Sequence, residues 1–284
     1  MEDHPNQHYL TRREFVQLVS LSGTALLTAR LLSACGSRVP IAAPSPSSSA
    51  EPEASATETA APPPTDSPEP SATWTITPPA PVEYLPDYSA CGPDCPLPAP
   101  RTEMGIPLMR ALSLRASSRE FRSDEPPLQL ISDLLWAAFG VNRPGTGKRT
   151  APSAYNVQDM DVYLATAKGL FLYDALRHSL QPVLPDDLRA ATGAQGFVAQ
   201  APLNLVYVSD AARLAAGGIG SSEDQLAFSW AHSGLIAQNV NLFCASEGLA
   251  TVVRSTVSRE ALAGRMGLPE GQRITLAQTV GYPG

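Results

Sequence analysis

Two short segments carry residue types suited to holding an anion and a polar ring. The first is Arg115-Ala-Ser117-Ser-Arg119-Glu-Phe121, and the second is Arg149-Thr-Ala-Pro152-Ser153-Ala-Tyr-Asn156-Val-Gln158. In the first, guanidinium groups bracket a hydroxyl, the set of fixed cations and O–H donors that a phosphate group takes. Alone, that segment is equally a solvated helix end, where cations complement the dipole. In the second, a hydroxyl and two side-chain amides follow a proline at a spacing that helix or turn chemistry does not explain. Other chemistries fail on the residues. Gly145-Thr-Gly-Lys148-Arg149 has Asn142 where the first glycine of a phosphate loop belongs and Arg149 where its hydroxyl residue belongs. There is no Gly-x-Ser-x-Gly elbow, and neither His178 nor His232 falls in a hydrolase motif. A net charge of -7 with no Lys/Arg-rich face argues against nucleic acid and leaves small molecules or redox proteins as partners.

The elements that must position these segments follow from periodicity. Apolar residues at 106, 108, 109, 112 and 114 predict a short helix over 106–117 that delivers Arg115 at its C-terminal end. Leu130, Ile131, Leu134, Leu135 and Ala138 form the stripe of a second helix over 128–139, stopped by Gly140. The spacing predicts a hairpin of 162–166 with 170–173 about Lys168-Gly169, a short helix over 186–192 and a buried strand over 203–208. The longest helix is expected over 224–249, apolar on more than one side and so suited to a core or a dimer interface. Strands over 251–254 and 274–280 flank a helix over 258–266. Gly217-Gly-Ile-Gly220 reads as a flexible loop placed where a lid would lie. Helices and strands without regular βαβ alternation predict an α+β sandwich, a central mixed sheet flanked by helices.

The paired motifs resemble the flavin site of the nitroreductase family, and the resemblance covers residues 105–283. It implies FMN as cofactor. Arg115 and Ser117 would hold its phosphate, Arg119 would face the pyrimidine edge of the ring, and Pro152, Ser153, Asn156 and Gln158 would reach the flavin from the other subunit of a homodimer. His232-Ser-Gly234 through Gln238-Asn239-Val-Asn-Leu242, with the following Gly248-Leu249, resembles the family's long core helix and the turn leaving it. The strand after that turn passes beside the flavin in the family, so a backbone N–H among Val253, Arg254 and Ser255 is expected at N5. No catalytic side chain is required, because the flavin carries the chemistry. The branch expected is the one related to thiazole/oxazole-forming dehydrogenases. Family members commonly carry a C-terminal Lys-x-Arg at the phosphate, whereas this chain reads Val280-Gly-Tyr-Pro-Gly284; the expectation is fewer cations there, or replacement by Arg254 or Arg149. A flavin-less ligand-binding protein on the same fold is the rival reading.

The N-terminus predicts an address. Arg12-Arg13 before a weakly apolar run from Val16 to Leu32 resembles a twin-arginine export signal, and Leu32-Ser-Ala-Cys35 resembles a lipoprotein processing site. The expectation is an extracytoplasmic protein held to the membrane by lipid on Cys35. That route moves folded proteins with cofactor inside, which agrees with a flavin. Residues 36–100 hold 17 of the 28 prolines, and this composition predicts a disordered linker between a signal at 1–35 and a domain at 101–284. Cys91 and Cys95 could close a small disulfide or, less well, hold a metal; Cys244 reads as a core thiol.

Overall fold

The structure is a computed structural model that describes residues 81–284. The expected signal, Cys35 and residues 36–80 of the expected linker lie outside the described residues. In chain order the elements are β1 (Cys95–Pro96), α1 (Leu108–Leu114), α2 (Leu128–Phe139), β2 (Val141–Arg143), β3 (Lys148–Arg149), β4 (Met160–Thr166), β5 (Gly169–Asp174), β6 (Ser179–Leu184), α3 (Phe197–Gln200), β7 (Leu203–Asp210), α4 (Ala211–Ala216), α5 (Ser222–Glu247), β8 (Ala250–Arg254), α6 (Arg259–Met266) and β9 (Gln272–Gly281). Seven strands form one sheet in the order β1-β6-β5-β4-β7-β9-β8, while β2 and β3 make a separate small hairpin.

The α+β class holds, but the sheet is antiparallel at every pairing rather than mixed. Its strands β4, β5 and β6 are a meander with tight turns, and even α6, inserted between β8 and β9, returns the chain antiparallel. Alternation along the strands splits the core between the two faces. Val162, Leu164, Leu205 and Tyr207 pack with Ile131, Leu134 and Leu135 of α2 and Ile236 and Val240 of α5. Tyr163, Ala165, Val206 and Val208 pack with Leu262 and Met266 of α6. Each fully buried leucine or isoleucine in these layers contributes roughly 1.5–3 kcal/mol.

Local signals explain where the helices stop. Gly140 ends α2 with its N–H on the Trp136 carbonyl, and a Cβ there would meet Trp136 at 2.4 Å. Ser221 caps α5 by accepting the Asp224 N–H, and Gly248 ends that helix at φ +69, a left-handed position that favours glycine. The chain then enters β8 directly, so α5 fixes where β8 begins.

The domain starts earlier than its proline content predicts. Leu85, Cys91, Cys95 and Leu97 are buried in the main core. β1 pairs with the outer side of β6, Cys91 and Cys95 form a disulfide, and the Leu128 N–H bonds to the Glu83 carbonyl. Residues 81–100 are therefore a strap of the domain and not linker. Proline is tolerated in such a strap because it asks for few backbone N–H donors.

Candidate active site

The first motif leaves α1 at Arg115, whose backbone turns extended at φ -55 and ψ 117. The segment then runs along the outer edge of β8, where the Ser118 N–H bonds to the Thr251 carbonyl at 3.0 Å. It is held from the other side by the chain's last residues. The Arg122 N–H donates to the Tyr282 carbonyl, the Gly284 N–H to the Glu120 carbonyl, and Phe121 bridges to Pro283. Phe121 also packs against Phe197 at 5.5 Å between ring centroids. This fixes the backbone and frees the side chains. Ser117 and Arg119 are exposed and Arg115 is half-buried, and within the described residues neither Arg115 nor Arg119 has an ion-pair partner or a hydrogen bond from its guanidinium.

Beside this segment, β8 is the outermost strand of the sheet. Main-chain groups alternate between the two sides of a strand. Because Thr251 turns its carbonyl outward to Ser118, Val253 also turns its N–H outward, while Arg254 opposite Ala277 turns its own toward β9. Of the three candidates on this strand and its end, Val253 is thus the one inside the strand whose N–H, among the described residues, is a free donor at the edge.

The second motif is a strained turn. Tyr155, Asn156 and Gln158 take φ values of +49, +58 and +49. For residues other than glycine such a backbone costs roughly 1 kcal/mol or more each. The compensating ties are specific. The Gln158 N–H donates to Ser153 Oγ at 2.9 Å, Arg149 Nε donates to Gln158 Oε1 at 2.9 Å, and Gln158 Nε2 donates to the Gly147 carbonyl at 3.1 Å. Pro152, Tyr155 and Asn156 stay exposed, with Tyr155 at 82%. Val157 packs on Gly217, where a Cβ would meet Val157 Cγ1 at 1.9 Å. The expected lid is correspondingly pinned, since Ile219 is buried, its N–H bonds to Leu214 and its carbonyl accepts from Gln225.

Within one chain the two motifs do not meet. β4 leaves the second motif at Met160, opposite Ser209 of β7, which is opposite Arg273 of β9. The first motif lies at the other end, where Thr251 is opposite Val280. From Arg273 to Val280 the strand covers about 24 Å at ~3.4 Å per residue.

Neither arginine proposed as a replacement cation joins Arg115. Arg254 is 4% exposed and its guanidinium donates to Thr279 Oγ1, Asn204 Oδ1 and both the carbonyl and hydroxyl of Thr192. Burial pushes its pKa down to about 10. Arg149 belongs to the opposite end of the sheet, bonded to Gln158 and stacked over Phe139 at 5.1 Å. Burial lowers its pKa too. Two further residues near the second motif, Asp159 and His232, carry no local sequence signal of their pairing. Asp159 is fully buried where the second motif enters β4, and Asp159 Oδ1 lies 2.6 Å from His232 Nδ1. A separation of 73 residues leaves no local pattern for that pair.

Comparison with known proteins gives the family. The model of the nitroreductase family matches residues 112–282, and the chain belongs to that family. Nitroreductase-family protein MJ1384 of Methanocaldococcus jannaschii is 32% identical over 161 residues, covering 52% of this chain and 77% of that protein. A crystal structure of a nitroreductase-family protein from Ralstonia eutropha JMP134 superposes with a TM-score of 0.65 at 40% identity, over 74% of this chain and 97% of the other. The microcin synthetase McbBCD complex of Escherichia coli shares the fold at a TM-score of 0.52 and 18% identity, over 66% of this chain and 76% of that one. Nitroreductase-type oxidoreductase activity is the family's function.

Proposed function

We propose that the protein is an FMN-dependent oxidoreductase whose flavin site is shared between two copies of the chain. The observation that carries this reading is the separation of the two motifs to opposite ends of one sheet. A site built from both needs a second chain. Exposed apolar side chains supply a surface for it: Leu108, Met109, Leu112 and Leu114 of α1, and Leu226 and Leu235 of α5.

The residues at the first half-site fit the cofactor. Arg115 and Ser117 hold the phosphate with a cation and a hydroxyl that nothing else in the described chain engages, and Arg119 faces the pyrimidine edge. The outward Val253 N–H is a donor for N5, and Ser255 follows it along the same edge. Pro152, Ser153 and Asn156 come from the second copy on their strained turn, which Gln158 braces from within. Bound FMN would supply the hydride chemistry of an oxidoreductase. The protein's part is to orient the ring and fix its hydrogen bonds, with no side chain acting as nucleophile. The electron donor is a quinol, a redox protein or the substrate itself, because the Arg12-Arg13 signal and Cys35 direct the chain out of the cytoplasm to a lipid anchor, away from the NAD(P)H pool. Within the family, the reading is the branch related to thiazole/oxazole-forming dehydrogenases, for which the substrate itself would be the electron donor.

The test is the visible spectrum of the purified protein, followed by FMN titration of the apoprotein. Yellow protein is expected, and Arg115→Ala is expected to weaken FMN binding by about 1.5–3 kcal/mol, the range of a charge-assisted bond. A colourless protein that takes up no FMN favours the flavin-less ligand-binding reading, and unchanged affinity in Arg115→Ala removes the phosphate assignment.

A further inference from the structure

Asp159, His232 and Ser209 form a buried polar chain that none of the flavin contacts uses. Asp159 is 0% exposed, Ser209 2% and His232 3%. Ser209 Oγ donates to Asp159 Oδ2 at 2.7 Å, His232 Nδ1 faces Asp159 Oδ1 at 2.6 Å, and Phe228 stacks on the imidazole at 5.8 Å. The far nitrogen, His232 Nε2, accepts the backbone N–H of Ala154 at 2.8 Å. A nitrogen that accepts an N–H must present its lone pair, so the ring proton sits on Nδ1 and is donated to Asp159. The hydrogen bonds thus specify one tautomer.

This chain ends where the second motif begins its turn. Ala154 precedes Tyr155 and Asn156 in their left-handed conformations, and an unfavourable backbone persists only when its surroundings over-determine it. Most ties in the turn are internal to residues 147–158. Among the described residues, two hydrogen bonds reach residues 153–158 from helices packed outside, since those to α2 go to Arg149 and Thr150: Arg213 of α4 donates to the Gln158 carbonyl, and His232 of α5 takes the Ala154 N–H. Of these two, the second comes from the long helix α5, and a buried carboxylate sets its direction.

We propose that His232 is a positioning residue: braced by Asp159, it fixes the angle at which the turn carrying Ser153 and Asn156 is offered to the flavin of a second copy of the chain. It touches no flavin itself. The proposal rests on the shared-site reading above and extends it to a residue with no flavin contact.

The full chain is tested in two ways. With histidine-ring and backbone nitrogens labelled, the wild-type protein is expected to report a neutral Nδ1–H imidazole and a coupling across the bond from Ala154 to His232 Nε2. FMN titration is expected to give His232→Leu a dissociation constant about tenfold or more above wild type, with His232→Gln, which keeps an acceptor for Ala154, recovering most of the loss. Equal losses in His232→Leu and His232→Gln overturn the positioning role, since bulk packing then accounts for both. So does wild-type affinity in His232→Leu, which leaves the flavin reading intact. A wild-type protein that binds no FMN removes the flavin reading instead, and the positioning role with it. Should His232→Leu fail to fold, the ring tautomer and the His232→Gln affinity decide: an Nε2–H tautomer, or an affinity in His232→Gln reduced about tenfold, ends the proposal.

Discussion

Arg254 is a cation inside the sheet with only neutral acceptors around it. Three side-chain oxygens and one carbonyl receive its donors, and no carboxylate is among them. Burying an unpaired charge costs several kcal/mol, so the hydrogen bonds must offset the lost hydration. The geometry explains why arginine and not lysine stands there. A planar fork reaches Thr192, Asn204 and Thr279 together, whereas an ammonium cannot span them. Gly193 completes the fit, because a Cβ at that position would lie 2.0 Å from the guanidinium. Arg254→Lys is expected to lower unfolding free energy by about 2–3 kcal/mol through lost charge-assisted bonds, read by urea denaturation; wild-type stability would mean the fork is not what holds β8 to β7 and β9. Charge alone points Arg254 toward a phosphate. Its position in β8 turns the side chain into the protein, and pairing of this kind is invisible to local spacing.

Among the elements, the strap of residues 81–100 shows how composition misleads. Its prolines read as linker, yet it is fixed by contacts with residues far along the chain. Lys168 Nζ reaches the Leu85 carbonyl and pairs with Glu125, and Ser132 Oγ donates to the Pro98 carbonyl at 2.6 Å. His178 closes the junction, with Nε2 at 3.0 Å from the Pro98 carbonyl and Nδ1 at 2.9 Å from the Tyr173 hydroxyl. Burial holds the His178 pKa below the ordinary 6.5, against the opposing pulls of the Pro98 bond and Asp133. A base whose folded pKa is depressed contributes stability that is complete above its unfolded pKa and drains as pH falls through the folded value. Melting temperature should therefore fall on acidification from about pH 6.5, and His178→Gln should flatten that slope. An unchanged slope would assign the acid sensitivity elsewhere. β6 was missed for a related reason: Ser179-Leu-Gln-Pro-Val-Leu184 contains a proline, which argues against a strand unless it lies at an edge. By contrast α2 and the hairpin about Lys168-Gly169 are legible because each repeats its apolar period and ends on a glycine or a tight turn, and α5 is legible from its length, its apolar content on more than one side and the glycine that ends it. The two flavin-type motifs were legible as motifs. That they lie at opposite ends of one sheet was not, since this follows from strand order and register.

For the whole molecule, that separation is what the proposed shared site rests on. Arg115→Ala and Asn156→Ala damage different halves of the proposed site, so a mixed dimer places both defects at one site and spares the other. Equilibrated mixtures should recover in the heterodimers about half of the wild-type flavin sites, which neither homodimer has, measured by bound-flavin absorbance after separation. A monomer that retains FMN would end the shared-site model. The sheet's two rims also differ in what they offer to stray chains. On the β6 side, Cys95 and Pro96 cover Leu180 and Ser179, and Pro182 has no N–H to give, so an incoming strand meets an interrupted ladder. On the β8 side, among the described residues, the Thr251 carbonyl alone is covered by a neighbouring backbone, and the Val253 donor stays open. Fibre-like growth by edge pairing is thus blocked at one rim and left available at the other, so whatever seats beside Val253 also guards the protein against aggregation.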